Sequence, residues 1–133
     1  MIPVPVDRPV YDGDIATYWF DDGILVSRSK PVRRTVANIA ANVVLVQRIT
    51  GGTPAPLLIH LARSPMPDRA TRRFSKLQLP RIYTAMAMVA EPGLASLIMK
   101  VLFGLQSPPI PMKQFTDERA ARAWLAAQLR TTR

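Results

Sequence analysis

Cysteine is absent from this chain of 133 residues. Its absence excludes disulfide bonds, cysteine nucleophiles and metal sites built from thiolates. A chain without disulfides suits a reducing compartment, so we expect a cytoplasmic protein. No basic stretch precedes an apolar run near the amino terminus, and we therefore expect no signal peptide.

The side chains that usually perform catalysis are also scarce. His60 is the single histidine, it lies in an apolar segment without an acidic neighbour, and no second histidine exists to share a metal ion. The sequence has no glycine-rich phosphate loop, no dinucleotide-binding glycine pattern and no Gly-x-Ser-x-Gly turn. Asp21 and Asp22 are adjacent in a turn, and no further ligands accompany them. We expect no enzymatic activity, no cofactor and no metal site.

Long hydrophobic runs are missing as well. The longest mostly apolar stretch, residues 94–105, is interrupted by Lys100 and is too short to cross a bilayer core of about 30 Å as a helix. Hydrophobic residues nevertheless make up 48% of the chain and charged residues 20%. This balance is typical of a globular domain, and a chain of this length forms a sizeable core without covalent staples.

Proline and glycine divide the chain into its predicted elements. Pro3, Pro5 and Pro9 indicate an extended arm over residues 1–15, and we expect a single domain over residues 16–130. Aromatic and aliphatic runs on either side of an Asp-Asp-Gly turn predict a β-hairpin. The remaining signals predict helices after the caps Thr35, Asp68 and Thr116 and over Leu94–Phe103, with strands at Pro56–Leu61, Tyr83–Val89 and Met112–Phe115.

The resulting order is ββαβαβαβα. It predicts an α/β domain with a mixed, mainly parallel, five-stranded sheet packed with about four helices. We expect the first hairpin strand to be antiparallel at an edge of this sheet. The second helix is expected to end at Pro80, and its core side is expected to consist of Ala70, Phe74 and Leu77.

Positive charge is concentrated in the middle of the chain, within a net charge of +9. Between Arg28 and Arg81 there are eleven lysines and arginines and one acid, Asp68. Four of these cations share one face of the predicted second helix, and we call them the basic ladder: Arg69, Arg72, Arg73 and Lys76. The ladder is either a site for anionic head groups or an ordinary solvated face, which is the commoner outcome for a charge run. It has no aromatic residue for base stacking, so we expect no nucleic-acid partner.

The predicted third helix is apolar around most of its circumference. Such a helix must be covered by something. The cover is the domain core with the loop at residues 108–111, a second copy of the chain, or a lipid or small apolar ligand. We expect a homodimer. The candidate dimer or ligand surface consists of Leu94, Leu97, Ile98, Val101, Leu102 and Phe103.

Several segments carry a family resemblance when they are taken in order. They are Tyr18–Leu25, Thr50–Gly52 followed by Pro56–Ile59, Pro108–Pro111, Phe115–Glu118 and Ala123–Leu125. Together they resemble the SpoIIAA-like family, small bacterial proteins related in fold to STAS and SEC14-type lipid-binding domains. The resemblance covers about residues 16–130. It implies the same α/β fold and no particular reaction, because most such proteins have none assigned.

The related STAS switch proteins carry a phosphoacceptor serine in a Ser-Gly turn, and this chain departs from that pattern. The corresponding stretch, Arg63–Thr71, contains Pro65 and Pro67 and lacks the Ser-Gly turn. Ser64 and Thr71 remain candidate phosphoacceptors, and the neighbouring arginines would bind a phosphate.

Two functions therefore stay open. The leading hypothesis is a non-enzymatic interaction or ligand-binding domain that associates with anionic membrane surfaces or with a small apolar ligand, which would place it in the cytoplasm or peripherally at a membrane. The alternative is a STAS-type regulatory protein that binds another protein under phosphorylation control. The sequence identifies no particular protein partner.

Overall fold

A computed structural model describes residues 3–131, with side chains through residue 130. The first two residues of the predicted arm lie outside the described residues. The described chain forms β1 (Tyr11–Asp12), β2 (Ala16–Asp21), β3 (Ile24–Ser29), α1 (Val36–Thr50), β4 (Ala55–His60), α2 (Arg69–Ile82), β5 (Tyr83–Val89), α3 (Leu94–Phe103), β6 (Met112–Phe115) and α4 (Glu118–Thr131). The α/β class and the predicted order of elements from β2 onwards are confirmed.

The predicted number of five strands is wrong by one. The additional strand β1 pairs antiparallel with β2, so β2 is not the edge strand. Periodicity could not indicate β1 because two residues are too few to show an alternating pattern. The arm before β1 also packs against the domain, since Val4 and Val10 contact the core on one face of the sheet.

The strands lie in the sheet in the same order as in the sequence, from β1 to β6. β1, β2 and β3 pair antiparallel, and β3 to β6 pair parallel. Crossovers between parallel strands are almost always right-handed, so successive crossovers that move in one direction place their helices on one face. α1, α2 and α3 share a face for this reason, and α4, which follows the last strand, covers the other.

The core is divided by the sheet into two layers. Successive residues of a strand point to opposite faces, and β4 shows the division most clearly. Leu57 belongs to the same buried cluster as Val46 of α1. Its neighbour Leu58 belongs to the cluster that contains Leu125 of α4. The apolar run of β4 therefore contributes side chains to both layers, as expected for a strand covered on both faces.

Turn and cap residues account for several of the boundaries. Asp22 and Gly23 have φ values of 54° and 77°, the two positive values that a tight hairpin turn of the primed type requires. The Thr35 hydroxyl accepts a hydrogen bond from the Asn38 amide at the start of α1.

The predicted cap Thr116 is wrong. The Asp117 carboxylate, one residue later, accepts from the backbone amides at the start of α4, and a charged acceptor is favoured at that positive end.

The predicted end of α2 is also wrong. Pro80 lies inside the helix, which continues to Ile82 and passes directly into β5. Proline removes one hydrogen bond from its helix. Here the loss falls in the last turn, and the Tyr83 amide restores the closing bond by donating to the Leu79 carbonyl.

The buried side of α2 differs from the predicted one. Thr71, Gln78 and Ile82 are buried, whereas Leu77, which was expected in the core, is 65% exposed. Ala70 is exposed and Phe74 is half-buried. The rotation of the helix is fixed by Ile82, which enters the core where the chain turns into β5. Thr71 and Gln78 therefore face the core, although their polarity would predict surface positions.

Ion pairs and a hydrogen bond join the arm, the hairpin, β4 and α4 on the α4 side of the sheet. His60 Nε2 lies 2.8 Å from Glu118 Oε1, so the histidine has an acidic partner that is distant in sequence. Glu118 also contacts Arg122 at 3.5 Å, and Arg122 reaches Asp21 at 2.8 Å. Asp21 in turn binds Arg8 of the arm at 2.9 Å.

Replacing Asp21 with Asn tests this network. Hydrogen bonding from Arg8, helped by the charge of Arg122, holds the pKa of the Asp21 carboxyl below its usual value. The carboxylate therefore stabilises the fold fully above the ordinary pKa of about 3.9 and loses this contribution as the pH falls through the lower folded-state pKa. The variant should lose about 1 kcal/mol of unfolding free energy at neutral pH, since the pairs are partly exposed.

Urea denaturation of the wild type and of Asp21→Asn measures this difference. The gap between the two proteins should shrink as the pH is lowered to about 2. A gap of the same size at neutral and acidic pH would show that the carboxylate charge does not stabilise the fold.

Candidate functional site

A mostly apolar cavity of about 310 Å³ lies between α3 and the sheet, on the face that carries α1 and α2. Its floor comes from the parallel part of the sheet and consists of Ser29, Ile59, Leu61, Met86, Met88 and Met112. Ser29 ends β3, Leu61 directly follows β4, and Ile59 and Met88 are the last residues but one of their strands. The cavity therefore sits towards the carboxyl edge of the parallel strands, where open α/β sheets bind ligands.

The walls of the cavity come from α3 and from the loop between β4 and α2. The α3 residues are Leu94, Leu97, Ile98, Val101 and Leu102. Loop residues 62–67 form a second wall, and Ile39 of α1 and Leu79 of α2 complete the lining. Two depressions elsewhere along α3 and β6 hold about 470 Å³ each but are more open to solvent.

The structure brings five of the six predicted apolar residues of α3 together in this lining. They follow the i, i+3, i+4, i+7, i+8 spacing of a single helical face. Phe103 is the exception, because it is buried outside the cavity. Within the lining, Leu94 is 7% exposed and Leu97 is 51% exposed, so the helix face runs from the core to the surface.

The cavity contains two arginines, Arg34 and Arg63, and no acidic side chain among its described lining residues. Arg34 is half-buried, and its guanidinium donates to the backbone carbonyls of Lys30 at 2.6 Å, Val32 at 2.8 Å and Ile15 at 3.1 Å. Burial lowers the pKa of the Arg34 guanidinium, but an arginine stays charged in proteins. Nothing in the sequence distinguished this residue from the cations around it.

A hydrogen-bonded chain of neutral groups lies near Arg34. The Tyr18 hydroxyl lies 3.0 Å from the Tyr83 hydroxyl and 3.0 Å from Asn42 Oδ1. Burial raises the pKa of both phenols, so they remain protonated at neutral pH. The chain therefore provides no negative charge to compensate the guanidinium.

The basic ladder lies on the outward side of α2, away from the buried Thr71 and Gln78. Arg69 and Arg73 are exposed, while Arg72 and Lys76 are half-buried. Arg72 donates to the carbonyl of Pro67 at 2.7 Å. No ion pair joins a ladder residue to an acid in the part of the chain that the structure describes.

The two candidate phosphoacceptors have different surroundings. Ser64 is exposed and lies in the cavity wall, whereas Thr71 is buried at the start of α2. The Thr71 amide donates to the Asp68 carboxylate at 2.8 Å and completes the helix cap. Thr71 is therefore inaccessible to a kinase in this conformation.

Two further findings concern the described residues as a whole. No helix within residues 3–131 is both long and apolar enough to reach across a bilayer. In the same range, no group of three or more histidine, aspartate and glutamate side chains is placed to share a metal ion.

Comparison with known proteins identifies the class of fold and then the family. The chain is similar to the crystal structure of an uncharacterized protein of the DUF3478 family with a SpoIIAA-like fold from Shewanella loihica PV-4, with a TM-score of 0.55 and 17% identity over 94% of this chain and 99% of that chain. The fold is therefore SpoIIAA-like, as the resemblance implied. The family profile described as "Domain of unknown function (DUF7793)" matches residues 18–129, and the chain belongs to this family. No curated protein matches the sequence.

Aspartate substitutions test the different positions of two α3 residues. Leu94→Asp should lower the unfolding free energy by more than about 3 kcal/mol, because it buries an unpaired charge. In a single chain, Leu97→Asp should cost about 1 kcal/mol or less, because half of this side chain is already exposed. Thermal and urea denaturation measure both effects. Equal destabilisation by the two substitutions would show that Leu97 is covered in the folded protein.

Proposed function

We propose that this domain binds a small apolar ligand in the cavity between α3 and the sheet, and that it does so without catalysing a reaction. The cavity itself is the observation that carries this proposal. Its volume of about 310 Å³ lies at the lower end of the roughly 300–1,000 Å³ found for ligand pockets. Its lining combines a continuous apolar surface with a few polar groups, which is the usual composition of such sites.

The energetics of an apolar cavity favour occupancy. Apolar surface without packing partners loses dispersion contacts, and residual cavities in protein cores cost about 24 cal/mol per Å³. A ligand that packs against this lining would regain part of those contacts. A chain of methylene groups suits this lining because each buried group contributes about 0.8 kcal/mol.

On this proposal, a ligand enters where the apolar lining reaches the surface. Leu97 and Met66 line the cavity, yet they are 51% and 59% exposed, so both lie at its opening. The loop that carries Met66 is held by side chains at its surface: Arg33 donates to the Met66 carbonyl and Arg72 to the Pro67 carbonyl, each at 2.7 Å. Arg63 of the same loop lies 3.7 Å from Glu91. A ligand could enter by displacing this loop from α3 without separating any strands.

The chemistry of the lining favours binding over catalysis. Hydroxyl groups are present on Ser29, Ser64 and Ser75, but the described lining contains no histidine or carboxylate that could activate them. The alternative of phosphorylation control has less support, because Thr71 is buried and only Ser64 is accessible among the two candidates.

Occlusion of the cavity tests the proposal. Ala62→Trp places an indole ring at a half-buried position of the lining, whereas the control Ala123→Trp adds the same ring at an exposed position of α4 on the opposite face. A fluorescent apolar reporter should bind the wild type and the control with equal affinity. Ala62→Trp should weaken its binding by about tenfold or more. Equal binding by all three proteins would place the reporter elsewhere and contradict the proposal.

We further propose that the basic ladder attaches the domain weakly to anionic membranes. Its cations form no ion pair in the described residues, and α2, which carries them, also supplies Ser75 and Leu79 to the cavity. Each cation near an anionic surface contributes about 1 kcal/mol, so four contribute roughly 4 kcal/mol. This corresponds to attachment in the millimolar range. The exposed Leu97 and Met66, or a second copy of the chain, would have to strengthen it.

Vesicle sedimentation measures this attachment. Replacement of the four ladder residues with Gln should abolish binding to anionic vesicles, and added salt should have the same effect on the wild type. A charge-matched control replaces four exposed cations elsewhere: Arg48, Lys113, Arg119 and Arg130. Both variants remove four charges from the net +9. Equal loss of binding in both would show that total charge, and not the ladder, determines attachment.

The homodimer remains part of this proposal, with the opening of the cavity as its interface. Leu97 and Met66 are the exposed apolar residues that a second copy would cover. Light scattering at micromolar concentration should then report a dimer, and Leu97→Asp should convert it to a monomer. A monomeric wild type would contradict the proposed dimer, and the opening of the cavity would then face solvent.

A further inference from the structure

We propose that the ligand is a single-chain amphiphile with an anionic head group, and that Arg34 binds this head group. The inference rests on the proposed function, because it concerns the same cavity. It assigns to Arg34 a role that neither the sequence pattern nor the comparisons indicate.

The first support is the incomplete environment of Arg34. Buried or half-buried arginines are usually paired with a carboxylate, because an unpaired charge away from water is unfavourable. Arg34 has no carboxylate partner among the described residues. Its bonds to carbonyls use both hydrogens of Nη1 and one hydrogen of Nη2. Nε–H and the second Nη2 hydrogen remain without a described partner, and a guanidinium has five such donors.

The second support is the sign of the charges around the cavity. The described lining contains no acid, and its other cation, Arg63, lies at the surface with its side chain 71% exposed and 3.7 Å from Glu91. Crossover helices begin at the carboxyl edge of a parallel sheet, so α1, α2 and α3 have their amino termini there. Those of α1 and α3 carry no acidic cap, whereas the Asp68 carboxylate caps α2. The cavity is lined by Arg34 just before α1, by Pro67 just before α2 and by Leu94 at the start of α3.

The third support is the shape of the remaining lining. Apart from Arg34, Arg63 and three serines, the lining residues are apolar. Three methionines, Met86, Met88 and Met112, form much of the floor, and their flexible side chains adapt to a chain of varying length. A volume at the lower limit of ligand pockets accommodates one chain better than two. A compact anion without a chain would leave the apolar surface uncovered.

The test compares amphiphiles that share one chain and differ in the head group: decanoate, decyl phosphate and decanol. Each displaces a fluorescent apolar reporter from the purified protein. The wild type should bind one or both anions at least about tenfold more tightly than decanol, because a hydrogen bond to a charged group is stronger than one to a neutral group. The ratio of the affinities for decanoate and decyl phosphate identifies the preferred head group as carboxylate or phosphate.

Variants of the two cavity arginines locate the effect. Arg34→Gln should reduce the preference for the anions to about twofold or less while leaving the affinity for decanol unchanged, and retained decanol binding shows that the cavity is intact. Arg63→Gln is the matched control and should keep the preference. Arg34 also donates hydrogen bonds to three backbone carbonyls, so its replacement by Gln could disturb the local backbone. Arg34→Lys is a milder change that retains the charge, and it should keep part of the preference for the anions.

The outcomes separate this inference from the function on which it rests. If decanol binds the wild type as tightly as the two anions, the inference is wrong and the apolar site stands. If Arg63→Gln, and not Arg34→Gln, removes the preference, the head group lies at the opening and the assignment to Arg34 is wrong. If no amphiphile displaces the reporter, the proposed function itself fails.

Discussion

The constraint on which the structure depends is the one-directional order of its parallel strands. From β3 to β6 each strand lies beside the one before it, and right-handed crossovers then place all three connecting helices on one face. α4 follows the last crossover and is left to cover the other face. The two faces are consequently built differently: one by a single helix and the amino-terminal arm, the other by three helices that begin at the same edge of the sheet.

The charged side chains are sorted between these faces. On the α4 side, Asp21 forms ion pairs with Arg8 and Arg122, and Glu118 pairs with Arg122 and shares a hydrogen bond with His60. On the opposite side, the described lining of the cavity contains arginine but no acid. The amino termini of α1 and α3 at this edge carry the same sign as the guanidinium, whereas the terminus of α2 is capped by the Asp68 carboxylate. The positions of the acidic side chains therefore distinguish the two faces of the sheet, which the net charge of +9 does not.

Local signals in the sequence predicted the elements well, and the failures have identifiable causes. β5, α3 and β6 have the predicted bounds because proline and glycine enclose short apolar runs. The buried side of α2 was wrong because Ile82, at the junction with β5, determines the rotation of the helix. The shared face of five apolar residues of α3 could be predicted because helical spacing brings them together. Ile59, Met86 and Arg34 could not, because tertiary packing alone brings them to one cavity.

The most direct measurement of the central claim is methyl NMR of the methionine side chains during titration with decanoate. Met86, Met88 and Met112 line the floor of the cavity, whereas Met99 of α3 lies outside it. A ligand in the cavity should shift the three floor methyl signals in a saturable manner and leave the Met99 signal nearly unchanged. Saturable shifts confined to Met99, or no shifts in any of the four, would contradict the claim that the cavity is a binding site.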